Sequence, residues 1–282
     1  EGLLTSDLID LTAETPETLE RVARTPSAAL GSVRKKATEE DCKELIDVFK
    51  THDIRYFFYI GGNDTAETAH IVDELARGED YDFRVCHIPK TIDNDLRETD
   101  HCPGYGSAAR FVALALMGDN LDNTALKGVK IDVIMGRHAG FLTGASALAR
   151  QAETDGPHLI YLPEVAFDEE RFIDDVAACL DDIGRCVIAV SEGISRPDGS
   201  PVFTSGEKDS HGNIQLSGTG ALGDYLSNLV KDKVSAASRV RADTLGYMQR
   251  CFPGIRSEVD AAEARAAGAF AVKSMVEGDL SS

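Results

Sequence analysis

The eight residues PKTIDNDL, Pro89 to Leu96, put a lysine, a threonine and two aspartates on a non-helical stretch directly after the apolar run DFRVCHI. These residue types suit proton and phosphoryl transfer. A carboxylate such as Asp93 can take a proton from an attacking sugar hydroxyl, Asp95 can help hold a magnesium ion, and Lys90 can offset phosphate charge. A solvated turn accounts for any one of them, and less easily for the set.

Three more polar clusters follow apolar runs. In GGNDT, Gly61, Gly62, Asn63, Asp64 and Thr65 lie between the run IRYFFYI and a helical pattern. Paired glycines let backbone amides approach a phosphate, and a helix N-terminus favours its charge, although such a turn also serves simply as a tight turn. In MGRHAG, Met135 and Gly136 precede Arg137, whose planar fork suits a phosphoryl group; a surface ion pair is the plainer use of that arginine. His138 there reads as a structural histidine rather than a catalyst. In RADTLGYMQR, the arginines Arg241 and Arg250 with Tyr247 make a clamp for a sugar phosphate, or interface salt bridges. Arg34, Lys35 and Lys36 form the densest basic patch, and an anion site and a solvated charge run explain it equally. Together the clusters hold a base, carboxylates for a metal, a phosphate-binding turn and several arginines, the components of phosphoryl transfer to a small hydroxyl compound. No G-x-x-x-x-G-K-[ST] occurs, which excludes the ordinary P-loop.

The elements that must position these groups alternate. TEEDCKELIDVFKTHD reads as a helix opened by a Thr38/Asp41 capping box, after an irregular start. Strands are expected at IRYFFYI, DFRVCHI, VKIDVIM, HLIYLP, CVIAVS and near DTLGY. Helices are expected at TAETAHIVDELA, SAARFVALALMGDNL, AGFLTGASALARQ, DEERFIDDVAACLDDI, ALGDYLSNLVKDKV and DAAEARAAGAFAVKSMVE. Such alternation means an α/β fold with mostly parallel sheets covered by helices on both faces. Ser195 to Gly220, rich in Gly, Ser, Pro and Asp, reads as a long surface loop able to move.

Composition sets outer bounds. The 282 residues suit one large domain or two smaller ones, and 48 acids against 29 bases give a formal charge of −19. That balance argues against a nucleic-acid binder, which needs surplus cations, so any anionic ligand must find a local basic pocket. Six cysteines without a C-x-x-C pair favour reduced thiols and a cytoplasmic setting over disulfides or a zinc site. No run is long enough for a membrane span, and the opening EGLLTSDLIDLT has no signal-peptide pattern and no initiating Met.

The ordered set GGNDT, PKTIDNDL, PGYGSA, MGRHAG, SEG and RADTLGYMQR resembles the phosphofructokinase family over nearly the whole chain. Within it, Asp64 and Lys90 match the pyrophosphate-dependent branch, where ATP users carry glycines. An aspartate there would repel the ATP α-phosphate, and Lys90 would serve the bare diphosphate; Asp64 can also cap the helix. The resemblance implies two Rossmann-like three-layer α/β/α domains: residues 1–104 with 249–282 for the phosphoryl donor, and 105–248 for fructose 6-phosphate. It also implies Mg²⁺, a glycolytic reaction, and a homodimer or homotetramer with the substrate site shared across subunits.

The resemblance assigns roles residue by residue. Asp93 matches the general base for the 1-hydroxyl of fructose 6-phosphate, Thr91 and Asp95 line its loop, and Arg137 lies near the transferring group. Met135, Gly136, Glu192 and Arg250 match substrate-binding positions, and Tyr247 stands where ATP-dependent bacterial relatives carry histidine. Arg241 matches a residue supplied across a subunit interface to the 6-phosphate; a second such residue falls on Gly128, and its role passes to nearby Lys130. Arg34 matches a donor-side phosphate ligand, and Asn63 replaces a magnesium-binding aspartate, shifting weight to Asp95 or Asp64. The family's first strand and its G-G-x-x-P-G-x-N loop are expected ahead of Glu1, and its last segments beyond the final helix. The chain is thus read as a shortened copy, with the activity of these residues a separate question from that of the parent. The rival readings are an ATP-dependent 6-phosphofructokinase, a relative of the NAD and diacylglycerol kinases, and a non-catalytic sugar-phosphate-binding chain.

Overall fold

Eight helices and six strands follow one another along the described chain: α1 (Pro16–Ala23), α2 (Glu39–Thr51), β1 (Tyr56–Gly61), α3 (Asn63–Gly78), β2 (Arg84–Pro89), α4 (Tyr105–Ala125), β3 (Val129–Ile134), α5 (Phe141–Ala145), β4 (Leu159–Tyr161), α6 (Glu169–Ile183), β5 (Cys186–Ser191), α7 (Ala221–Lys233), β6 (Val240–Thr244) and α8 (Glu258–Glu277). The computed structural model describes residues 2–33, 37–79, 81–203 and 220–278. Arg34 and its basic neighbours lie outside the described residues, as do 204–219 of the Gly/Ser-rich segment and the side chain of Asn63.

The residues form two units, Glu1–Thr91 with Glu258–Ser282, and Ile92–Ser257. The division falls before the sequence-based boundary at 104. Ile92 packs with the apolar cluster of α4, and Asn94 binds the backbone at Asp100 and Cys102, so this stretch belongs to the second unit.

In the first unit β1 and β2 pair in parallel, and α2 and α3 bury Cys42, Leu45, Phe49, Ala69 and Val72 against Val85. Phe49 stands 4.9 Å from the rings of both Phe57 and Phe83. The capping box holds as expected: Asp41 N–H donates to Thr38 Oγ1 at 3.1 Å and Thr38 N–H to the Asp41 carboxylate at 2.9 Å. α8 is fixed on β2 by the Arg84 guanidinium, which donates to the Met275 carbonyl. α1 arises where an irregular opening was expected; Thr15 caps it and Pro16 fills its first turn, where a missing N–H costs nothing.

The second unit has a four-stranded parallel sheet, ordered β4-β5-β3-β6. β5 is buried along its whole length, as a central parallel strand should be. Side-chain alternation splits the core into two layers. Ile131, Val133, Ile188 and Val190 face α6 and α7, while Ile134, Val187 and Ala189 face α4 and α5. Two elements differ from expectation. The helix expected over residues 139–151 is cut to α5 and a 3₁₀ turn at Ser146–Ala149, with the Ser146 hydroxyl bonding back to Thr143 O. The strand expected near DTLGY is β6, which ends at Thr244; Gly246, at φ +54°, turns the chain into a 3₁₀ turn, Gly246–Arg250.

Candidate active site

In the second unit, three adjacent strands end level with one another. Ile134 of β3 is in register with Ser191 of β5, and Val133 with Thr244 of β6. Ligands of open parallel sheets bind outside such carboxyl ends, and here those ends lead into Met135–Gly136–Arg137, Glu192–Gly193 and the Gly246–Arg250 turn. The ladder carries on past the strands: Glu192 N–H donates to Ile134 O at 2.9 Å, and Leu245 N–H to Val133 O at 3.0 Å. Gly136 has φ +143°, open only to glycine, and its carbonyl accepts from the Ser191 hydroxyl. Glu164, from the loop after β4, holds the following turn by accepting the Gly140 N–H at 2.7 Å. Arg137 is half-buried and Glu192 is buried. Arg250 lies 4.4 Å from the centre of the Tyr247 ring, so these two exposed side chains form one cationic and aromatic surface.

Asp93 is half-buried in the same unit, next to Asn94, and Asp95 is exposed. Asn94 takes φ +58°, a left-handed conformation that asparagine tolerates. Its side-chain oxygen accepts the Cys102 N–H at 2.8 Å and its amide donates to Asp100 O at 3.2 Å. The two aspartates thus flank a pinned residue. Asn94, Ser191 and Glu164 were not singled out from sequence, because only the fold reveals which backbone groups they hold.

The first unit carries the other candidate groups. Lys90 N–H donates to Gly61 O at 2.9 Å, and the His87 ring nitrogen Nε2 lies 3.0 Å from the same carbonyl, so the segments after β1 and β2 are tied together. Lys90 is exposed, while Thr65 and Thr91 are half-buried. Gly62, not Asp64, is the N-cap of α3, and it supplies no side-chain cap; Asp64 sits exposed within the first turn because the helix begins at Asn63.

Lys130 and Arg241 lie elsewhere. They are register partners at the amino ends of β3 and β6, and Lys130 is four residues, ~13 Å of strand, before Ile134. Both line a polar cavity of about 300 Å³ with Arg239, Asp119, Asp122 and Asp243. The Lys130 ammonium binds the Asp243 carboxylate and lies 3.4 Å from Asp119 and 3.8 Å from Asp132.

Two clusters among the described residues bring metal-ligand types together, and in each the positions are already used. Asp119, Asp132 and Asp243 surround Lys130, whose ammonium stands where a cation would. In the His158, Cys179 and Cys186 group, the imidazole Nδ1 accepts the Val187 N–H at 2.8 Å and Nε2 faces Thr154 O at 3.2 Å, which leaves no lone pair for a metal. All six cysteines are free thiols.

Asp132 is fully buried and neither carboxylate oxygen has a hydrogen-bond partner. Burial pushes its pKa well above the ordinary carboxylate range, the Asp119 charge adds to the shift, and Lys130 opposes it. An acid with a raised folded-state pKa binds its proton more tightly when folded, so it costs increasing stability as pH rises above the unfolded value. Asp132→Asn removes that cost. The variant is expected to gain on the wild type as pH rises from about 5 to about 8 in urea unfolding, and a gap that stays constant with pH would contradict this origin.

The phosphofructokinase family profile matches residues 1–275. A pyrophosphate–fructose 6-phosphate 1-phosphotransferase of Rhodospirillum rubrum is 56% identical over 276 residues, which cover 96% of this chain and 68% of that protein. Among solved structures, the pyrophosphate-dependent phosphofructokinase of Marinobacter aquaeolei matches with a TM-score of 0.82 at 35% identity, over 98% of this chain and 65% of that one. That of Nitrosospira multiformis matches with a TM-score of 0.84 at 34% identity, over 98% and 66%. The chain spans about two thirds of the length of these relatives.

Proposed function

The chain belongs to the phosphofructokinase family, and on that premise we propose that it is a phosphotransferase moving a phosphoryl group reversibly from pyrophosphate to the 1-hydroxyl of fructose 6-phosphate. The products are fructose 1,6-bisphosphate and phosphate, a glycolytic step placed in the cytoplasm. The observation that carries this reading is the convergence of Gly136, Arg137, Glu192, Tyr247 and Arg250 at the level carboxyl ends of β3, β5 and β6.

The residues divide the chemistry. Asp93 takes the proton of the 1-hydroxyl as it attacks, which leaves a nucleophilic oxygen. The Arg137 guanidinium and the Lys90 ammonium supply the positive charge that stabilises the moving group. Glu192 accepts hydrogen bonds from sugar hydroxyls, Met135 and Gly136 present backbone, and Arg250 with Tyr247 engages the sugar phosphate. Thr91 lines the loop of Asp93. On the donor side, Gly61, Gly62 and Thr65 open α3, whose N-terminus favours the negative diphosphate, and Arg34 adds a further cation. Arg241 reaches the 6-phosphate of a neighbouring subunit in a homodimer or homotetramer; its position at the amino end of β6 fits a role away from its own chain's site. Lys130 can join it only by leaving the three carboxylates that hold it.

The exposed Asp95 carboxylate, two residues from Asp93, is an oxygen donor that suits a hard cation such as Mg²⁺, and the exposed Asp64 is another in the first unit. When bound, that ion neutralises charge on the diphosphate.

The test is phosphate release from pyrophosphate and fructose 6-phosphate with Mg²⁺, with ATP as the parallel donor. Turnover with pyrophosphate alone is expected; turnover with ATP alone would assign the ATP branch, and sugar-phosphate binding without turnover would leave a binding chain. Donor choice has its own test. Removing an exposed carboxylate about 4 Å from a phosphate relieves ~1 kcal/mol of repulsion, so Asp64→Gly with Lys90→Gly is expected to raise the ATP rate roughly fivefold and to lower the pyrophosphate rate. An unchanged ATP rate would sink this account of donor selection.

A further inference from the structure

β6 stops pairing with β3 one residue too soon. Its last ladder bond is Leu245 N–H to Val133 O, after which Gly246 turns the chain away and the N–H of Met135 has no strand to meet. The side chain of Gln249 fills that place. Its oxygen accepts the Met135 N–H at 3.2 Å, and its amide nitrogen donates to Gly246 O at 2.8 Å. The two partners fix the orientation of the amide, since an N–H can only donate and a carbonyl can only accept. Gln249 is 2% exposed, so a lost hydrogen bond here could not be replaced by water.

This one side chain therefore joins two segments that carry proposed sugar-phosphate contacts. One is the strand tip Met135–Gly136–Arg137. The other is the 3₁₀ turn bearing Tyr247 and Arg250. Resting on the reading of the second unit as the fructose 6-phosphate site, we infer that Gln249 is a positioning residue that sets the spacing between the Met135–Gly136 backbone and the Tyr247–Arg250 surface. It touches neither substrate nor reacting atoms. Its contribution is to sugar-phosphate affinity, and pyrophosphate affinity does not depend on it.

The experiment is calorimetric titration of the full chain with fructose 6-phosphate and, separately, with pyrophosphate. Gln249→Met keeps the volume and removes both bonds, and it is expected to raise the Kd for fructose 6-phosphate about tenfold with the pyrophosphate Kd unchanged. Gln249→Glu supplies a signature that a merely structural role lacks. A protonated carboxyl accepts and donates in the same pattern as the amide, whereas the ionised form sets a charge against Gly246 O. The ratio of its sugar-phosphate Kd to that of the wild type at the same pH is expected to fall towards one between about pH 8 and about pH 5.5. This series carries the test even if the methionine variant fails to fold. Unchanged affinity in both variants, a ratio that does not move with pH, or equal weakening of both ligands would overturn the inference. A wild-type chain that binds pyrophosphate but not fructose 6-phosphate would instead overturn the reading beneath it.

Discussion

Asp93→Ser is expected to lower turnover with pyrophosphate about 10²–10⁴-fold, the range a positioned general base contributes, while the affinity for fructose 6-phosphate stays within a few fold. Serine keeps a polar side chain on the same turn but cannot hold the proton of the 1-hydroxyl. The turn itself should survive, because its conformation is set by the neighbour: Asn94 at φ +58°, with its side chain bonded to the backbone of Asp100 and Cys102. Rates measured at saturating substrate, alongside calorimetric binding, separate chemistry from affinity. Turnover retained within tenfold of the wild type would remove Asp93 from this role, and a parallel loss of sugar binding would move it to substrate recognition.

Asp93 was singled out as a candidate before the fold because its neighbours carry a pattern, and most strands were read from patterns of the same kind. β1, β2, β3 and β5 are apolar runs bounded by Gly, Pro or charge, and the helices between them leave a parallel sheet as the one arrangement that buries both faces. Where the pattern is local and weak the reading drifts. α1 is short and buries no residue, so its Thr-Pro-Glu start had no apolar stripe to support it. The 139–151 helix looks continuous in sequence, yet it breaks after Ala145 as the chain swings towards β4. Lys130 shows a different limit. The resemblance passed a phosphate role to it from Gly128, while in the fold its ammonium lies among Asp119, Asp132 and Asp243, two of which are more than a hundred residues apart in sequence. Gln249 shows the converse, since its amide matters only because β6 turns away at Gly246, which no residue type announces.

Among the described glycines, Gly193 is the one where an added methyl group would meet backbone atoms most closely. It sits in the motif SEG beside Glu192. In the fold, a Cβ on Gly193 would lie 1.9 Å from the Arg137 carbonyl oxygen, 2.5 Å from its carbon and 2.7 Å from its Cα. All three are backbone atoms, so no side-chain rotation can relieve the overlap. The MGR segment, or the end of β5, must move by about an ångström, and both are held: Glu192 N–H by Ile134 O, and Gly136 O by the Ser191 hydroxyl. Overpacking of this kind destabilises by about 1–3 kcal/mol, and a shift of ~1 Å in a group that stabilises transferring charge can cost ~10²-fold in rate. Gly193→Ala is therefore expected to unfold at lower urea and to lose about 100-fold in turnover. Arg137→Lys supplies the comparison. It keeps the charge but loses the planar fork, and it leaves the backbone where it is. If Gly193→Ala acts by displacing Arg137, combining the two substitutions should cost much less than the product of their separate effects, because the second removes a contact the first has already broken. Fully multiplicative losses would mean that Gly193 serves the rate by some other route than the placement of that guanidinium.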